Sequence, residues 1–379
     1  MSKINFDNIV ENDFEVPFYS KLHGKVLEYL EFNNGETLFW KLTRAVGGSD
    51  RRMLRLLNEM EKSGEIEVIG KEITLKKRKI LNKEVIPVCK ACNGKIISFT
   101  PKFSQILKEM KEIYSKKPVP TFLFDQRPVT DETTVRRAAY LMWRGDLIGK
   151  SIAIVGDDDL TSLAIGLTGM AKEIVVFDID TRLIDFINLN TKKYNLPVKA
   201  IKSDLTENHP KEFIDRFDVF LTDPTPKPDA FELFLSIGIK LLKNNGGVGY
   251  VSFFPSHQDI SIEFQKILTK YDLIVTDMIP KFTEYDFIPE TYRNSDFDLL
   301  KKLDAGGNRI SFHENQTRFE VGEKSKMIVE HEKKHKSLDF MGKATKRVLS
   351  DIEKDPAYKK GEKDFVINTA RSMRDGKVC

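Results

Sequence analysis

Three cysteines in 379 residues, Cys89, Cys92 and Cys379, are too few for a disulfide framework, and a reducing, cytoplasmic setting is the expectation. Long apolar runs are missing as well. No stretch reaches the roughly eighteen residues that a membrane span needs, and Met1–Asn12 has no apolar leader core. Net charge is also scarce. The 61 basic and 57 acidic side chains leave only +4, too little for a general polyanion binder. What the chain does have is charge of both signs, 31% of residues, beside 40% apolar ones. That balance belongs to a globular protein of two or three domains with a sizeable core. Its richness in Lys, Glu and Ile points to a thermophilic source.

The chain is organised around Ser151-Ile-Ala-Ile-Val-Gly-Asp-Asp-Asp-Leu-Thr-Ser162. Ile152–Val155 has the apolar continuity of a buried parallel strand, Gly156 breaks it, and a helix begins near Leu160. Open α/β sheets bind ligands at such strand–turn–helix junctions. The nucleotide-binding version of the turn is glycine-rich, because backbone must approach phosphate closely. Here the turn is Asp157-Asp158-Asp159, which repels phosphate and suits a cation.

Before it, residues 1–80 read as a winged-helix-like domain. Helices are expected over Gly24–Leu30, from Thr37 behind a threonine cap, and over Arg52–Met60, followed by two short strands, Gly64–Gly70 and Glu72–Leu75. Arg51, Arg52 and Arg55 on the third helix suit nucleic acid; the plainer reading is a module kept for internal or dimer contacts. Residues 81–120 hold Cys89-Lys-Ala-Cys92, half of a zinc knuckle without its second pair, and then a linker helix over Pro101–Tyr114. Thr130-Asp-Glu-Thr133 is a capping signal for a helix to Arg144, and Asp125, Gln126 and Arg127 precede it on a loop at the edge of a site.

From 121 to 295 strands and helices alternate. Strands are expected at Ile152–Val155, Ile174–Asp178, Val198–Ser203, Val219–Thr222, Gly247–Phe253 and Leu273–Ile279, the last two as a closing antiparallel pair. This is a doubly wound, methyltransferase-like Rossmann sheet. Residues 296–379 form a charged segment, with an exposed helix expected over 336–353.

Each successive strand end is acidic: Asp157, Asp158 and Asp159, then Asp178 and Asp180, then Asp204, then Asp223. Single aspartates often cap helices, and Asp159 or Asp180 fits that role; a whole series lining one crevice implies a site. Asp178 lies where a carboxylate takes a ribose diol, and Asp204 suits an adenine amino group. An adenosyl donor whose other end is cationic rather than a carboxylate fits the Asp157–Asp159 turn. Decarboxylated S-adenosylmethionine is such a donor, a polyamine is a matching acceptor, and aminopropyl transfer is the matching reaction.

Phe124-Asp-Gln-Arg-Pro-Val-Thr130, Gly156-Asp-Asp-Asp-Leu-Thr-Ser162, Val176-Phe-Asp-Ile-Asp180 and Thr222-Asp-Pro-Thr-Pro226 resemble the archaeal and bacterial branched-chain polyamine synthases over about residues 20–295. The resemblance implies aminopropyl transfer from decarboxylated S-adenosylmethionine to the secondary nitrogen of spermidine. It implies Asp159 as the group that activates the amine. Asp157, Asp158, Asp223, Gln126, Glu284 and Tyr285 would bind the acceptor or the aminopropyl ammonium, and Gly156, Asp178, Asp180 and Asp204 the rest of the donor. No metal, no further cofactor, no membrane and no nucleic acid is expected, and a homodimer is. The family follows Asp-Pro-Pro with an aromatic residue; this chain has Asp223-Pro-Thr-Pro226, so the aromatic wall is sought at Tyr285. His257, past the fifth strand, reads as a loop histidine. The rival readings are an adenine-N6 methyltransferase on nucleic acid and a winged-helix sensor of nucleosides or polyamines.

Overall fold

In chain order the computed structural model has α1 (Val16–Phe32), β1 (Glu36–Leu38), α2 (Phe39–Val46), α3 (Asp50–Lys62), β2 (Ile66–Ile69), β3 (Glu72–Leu75), α4 (Pro101–Tyr114), α5 (Asp131–Trp143), β4 (Ser151–Val155), α6 (Thr161–Leu167), β5 (Glu173–Asp178), α7 (Thr181–Tyr194), β6 (Val198–Lys202), β7 (Val219–Thr222), α8 (Pro228–Leu241), β8 (Gly247–Phe253), α9 (Gln258–Lys270), β9 (Ile274–Asp286), α10 (Asn294–Leu303), β10 (Ile310–Val321) and α11 (Glu323–His331). The structure describes residues 4, 6, 9 and 16–331, except 34, 48, 77–88, 90, 93, 122–123, 125, 128, 207–210, 254–257, 287–293 and 305–309. Asp125, His257 and the helix expected over 336–353 lie outside the described residues.

The chain forms two units. The first runs to Thr100 and adds Ser252–Lys266 and Val275–Arg318; the second takes Pro101–Val251, Ile267–Ile274 and the chain from Phe319.

In the first unit β1, β3 and β2 form an antiparallel sheet in that order. Ser49 caps α3, accepting from the amide of Arg52. Thr37 is not the cap of the second helix. It lies within β1, and α2 starts at Phe39 behind Leu38, which makes no side-chain cap bond. The apolar stripes of α1, α2 and α3 close on Val26, Leu30, Phe39, Leu42, Met53, Leu56 and Leu57, and Leu300 and Leu303 of α10 join the same core. Burying one such side chain contributes roughly 1.5–3 kcal/mol, so α10 is a substantial part of this unit.

The larger sheet has the order β6-β5-β4-β7-β8-β10-β9. β4 pairs in parallel with β5 and with β7, β5 with β6, and β7 with β8. The chain therefore winds outward from β4 in one direction through β6, then returns to β7 on its other side. The order reverses between β4 and β7, where open sheets leave a crevice. β4 and β7 are buried at every residue, which suits central strands covered by helices on both faces. α5 is capped by Thr130, whose hydroxyl accepts from the Thr133 amide at 3.1 Å.

One part of the sheet differs from expectation. β8 and β9 do not pair as neighbours, because β10 lies between them. β10 falls in the stretch past Ser295 that reads as charged and partly helical. Its His313, Glu314, Gln316 and Arg318 are all buried. They enter a strand because they find polar partners there; Glu314, for one, accepts from Tyr285 Oη at 2.8 Å.

Candidate active site

The turn after β4 is shaped by two left-handed residues. Gly156 has φ +75°, where a side chain is strained. Leu160 has φ +56° with no glycine to ease it, and its side chain is fully buried. A buried leucine in this region costs on the order of 1 kcal/mol and persists because its surroundings hold it there.

Between these two residues the three aspartates take three different positions. Asp157 turns back onto α6. One carboxylate oxygen accepts from the Thr161 amide at 2.7 Å and the other from the Ser162 amide at 3.2 Å. It takes the first two amides of α6, whose N-cap residue, Leu160, makes no side-chain cap bond of its own. Asp158 is half-buried and accepts from the backbone N–H of Arg127 at 3.1 Å. Asp159 is held on every side. Its Oδ1 accepts from the Val129 amide at 3.1 Å, and its Oδ2 pairs with Arg137 Nη1 at 2.5 Å. Its carbonyl accepts from Thr134 Oγ1 at 3.0 Å and from the Tyr114 hydroxyl.

The loop ahead of α5 thus supplies amides to the acidic turn. Its Gln126 donates from Nε2 to Asp180 at 3.0 Å and accepts from the Thr121 amide at 2.8 Å, so this amide fastens the loop to the end of β5. Asp180 also caps α7 through the Arg182 amide and pairs with the Arg182 guanidinium at 2.7 Å. Asp178 accepts from the amides of Asp157 at 2.9 Å and Asp180 at 2.8 Å. Asp204 closes a small turn on the Thr206 amide and hydroxyl. Asp223, just past β7, pairs with Arg137 Nη2 at 2.5 Å. Across the switch point, Thr222 Oγ1 donates to the Val155 carbonyl at 2.8 Å.

The electrostatics follow from that crowding. Burial pushes the Asp157 carboxyl well up from its ordinary value, and the charges of Asp159 and Asp178 add to it. Asp158 is pushed well up by the same cause, with Asp159, Asp178 and Asp223 adding to it. Burial also raises Asp178, against the pull of its two amides. Asp180 goes the other way: burial would raise it, but Arg182 and Gln126 together hold it below the usual range.

Arg137 is the member of the site that sequence reasoning missed. It is buried on α5, one turn from Thr134, in a run where Val135, Ala138, Ala139, Tyr140 and Leu141 are buried too. The available signal was an arginine on a helix with no solvated face to receive it.

Glu284 and Tyr285 belong to the other unit. Glu284 is buried against Lys95 Nζ at 2.7 Å, Arg44 Nε at 3.2 Å and His313 Nε2 at 3.5 Å. Burial alone would raise it, but the His313 contact and the two cations bring its pKa down to about 2. Tyr285 stacks on Phe312 at 4.2 Å between ring centres. At the knuckle Cys89 is exposed, Cys92 is buried, and the backbone amides of Cys92 and Ala91 hold the Cys89 thiol below its ordinary value. Among the described residues no group of three or more His, Cys, Asp or Glu side chains is arranged to hold a metal ion. No helix among them is long and apolar enough to cross a membrane.

Three comparisons bear on this geometry. Residues 105–340 match the family model of the branched-chain polyamine synthase A C-terminal domain. An uncharacterised protein of Methanocaldococcus jannaschii is 38% identical over 61% of this chain and 59% of its own length. The N(4)-bis(aminopropyl)spermidine synthase of the same organism is 32% identical over 72% of this chain and 79% of its own. The match thus spans about three fifths of the first relative and about four fifths of the second. The branched-chain polyamine synthase of Thermus thermophilus, solved with N4-aminopropylspermidine and 5'-methylthioadenosine, shares the fold. Its TM-score is 0.65 at 24% identity, over 82% of this chain and 93% of that one.

Proposed function

The chain belongs to the branched-chain polyamine synthase family, and from that premise we propose that it is an aminopropyltransferase acting on spermidine with decarboxylated S-adenosylmethionine as donor. The observation that carries this reading is the carboxylate cluster at the switch point, where Asp158 and Asp159 occupy the turn that phosphate-binding sheets fill with glycine and Asp223 meets the same guanidinium as Asp159. Such a site favours ammonium and sulfonium groups and disfavours nucleic-acid phosphates.

The secondary amine of spermidine attacks the methylene carbon beside the donor sulfonium. The new C–N bond forms as the C–S bond breaks, the bonding pair stays on sulfur, and methylthioadenosine leaves. The proton lost by the amine passes to Asp159, the residue that the family resemblance assigns to activate the amine, whose carboxylate the Val129 amide and Arg137 hold in one orientation. Asp158 and Asp223 hold the ammonium groups of donor and acceptor in line, which supplies proximity and countercharge. Asp178 retains lone pairs for the ribose diol, and Asp204 serves the adenine. Asp157, Asp180 and Gln126 keep the turn and loop in shape around Gly156. Glu284 is already balanced by Lys95 and Arg44, so a distal ammonium would bind there only by displacing one of them; Tyr285 is the aromatic of that neighbourhood.

We read the first unit as a winged-helix-like packing module, a reading supported by the order α1-β1-α2-α3-β2-β3 and by the way α10 enters the core beside α3. A cytoplasmic homodimer that needs no metal completes the proposal.

The test is turnover. The protein is incubated with decarboxylated S-adenosylmethionine and, separately, spermidine, N4-aminopropylspermidine and a DNA duplex, and methylthioadenosine and branched products are followed by chromatography. Stoichiometric release of methylthioadenosine with a branched amine is expected. Folded protein that releases none with either amine overturns the proposal.

A further inference from the structure

We propose that Arg137 is a positioning residue of this site: its guanidinium, clamped between Asp159 and Asp223, is a built-in countercharge that fixes both carboxylates before any cationic ligand arrives. Each terminal nitrogen takes one carboxylate at 2.5 Å, and Nη1 also reaches Thr161 Oγ1 at 3.4 Å. The planar fork of arginine spans two acceptors on two strand ends; the point charge of a lysine does not. The clamp comes from the body of the molecule. α5 holds Asp159 twice, by its carbonyl through Thr134 and by its side chain through Arg137.

The surroundings show why a countercharge is required here. Asp158 and Asp159 crowd the centre from the turn, with Asp157 beside them turned onto α6, Asp178 at the end of β5 and Asp223 beyond β7. Tyr114 approaches from α4, and Lys117 lies just past it. Asp157 and Asp178 are matched by backbone amides at chain turns. Asp159 and Asp223 are matched by Arg137. Two charges at this depth need a matching cation.

The experiment uses Arg137→Gln and Arg137→Lys in the full chain. Its first readout needs no turnover: Tm against pH. Without the guanidinium, Asp159 and Asp223 keep protons in the folded state that they give up on unfolding. The stability of Arg137→Gln is then retained at low pH and lost as pH rises. Its Tm deficit against the wild type is expected to widen by roughly 5 °C between pH 5 and pH 8. If Arg137→Gln does not fold at neutral pH, recovery of the fold on acidification to about pH 5 is the same result. A deficit equal at both pH values, or no recovery on acidification, would mean a packing role alone and overturns the proposal.

The second readout rests on the aminopropyl-transfer reading. Arg137→Lys keeps the charge but spans only one partner. Its kcat is expected to fall about tenfold, with the dissociation constant for methylthioadenosine changed by less than about threefold. Unchanged kcat overturns the clamp. A wild type without turnover sinks the transferase reading and leaves the countercharge to the Tm series.

Discussion

The backbone N–H of Asp157 donates to Oδ2 of Asp178 at 2.9 Å, so the first acidic strand end is built on the second. The other oxygen of Asp178 takes the Asp180 amide at 2.8 Å. One side chain thereby sets the turn after β4 and the start of α7. Asparagine offers a single oxygen to these two donors and aims an amide at one of them. Asp178→Asn is expected to lose about 1–3 kcal/mol in urea denaturation, the cost of one buried unmatched N–H. Its affinity for methylthioadenosine is expected to fall at least about tenfold by calorimetry. A variant of native stability and affinity would remove Asp178 from both roles.

Gly156→Ala tests the bend itself. The residue has φ +75°, and an added Cβ meets the Phe234 ring at 3.3 Å. The left-handed conformation alone costs an alanine roughly 1–2 kcal/mol. The expected result is a Tm lower by several degrees, with methylthioadenosine binding weakened in parallel, because the same turn carries Asp157, Asp158 and Asp159. A Tm equal to that of the wild type contradicts this account.

Residues 151–194 show how far pattern alone reaches. Fully buried strands alternating with helices announce a parallel sheet, and the Thr130 capping signal falls where the helix begins. Pattern does not separate three adjacent aspartates. In sequence they are alike; in the fold Asp157 takes the first amides of α6, Asp158 takes a loop amide, and Asp159 meets a guanidinium. Arg137 escaped notice because helical periodicity tells which face is inward and says nothing of what lies opposite. β10 escaped because many of its buried residues are polar and meet partners distant in sequence, such as Glu284 for His313.

Glu284 carries a pH prediction. Its folded pKa, about 2, lies below the ordinary 4.5. A depressed carboxyl contributes stability that is present above its unfolded pKa and is lost as pH falls through the folded value. Glu284→Gln leaves Lys95 buried opposite a neutral group. It is expected to lose about 3 kcal/mol at pH 7 in guanidinium denaturation. That difference from the wild type should shrink between about pH 4.5 and pH 2 as the native carboxyl takes its proton. A difference that does not change with pH would contradict the ion-pair account.

Asp158 shows the opposite sign. Burial raises its pKa, and Asp159, Asp178 and Asp223 raise it further. Its contribution to stability is therefore complete below the unfolded value and is lost as pH rises through the folded one. At pH 7 the charged group costs the fold stability. Asparagine can still accept the Arg127 amide, since its oxygen replaces Oδ2. Asp158→Asn is thus expected to raise Tm by roughly 2 °C at pH 7, with no gain at pH 4. The same variant should weaken spermidine binding about tenfold by calorimetry, because one carboxylate fewer meets the ammonium groups. Higher stability with unchanged spermidine affinity would place the acceptor away from Asp158. Lower stability at pH 7 would mean that this carboxylate is held by more than the Arg127 amide.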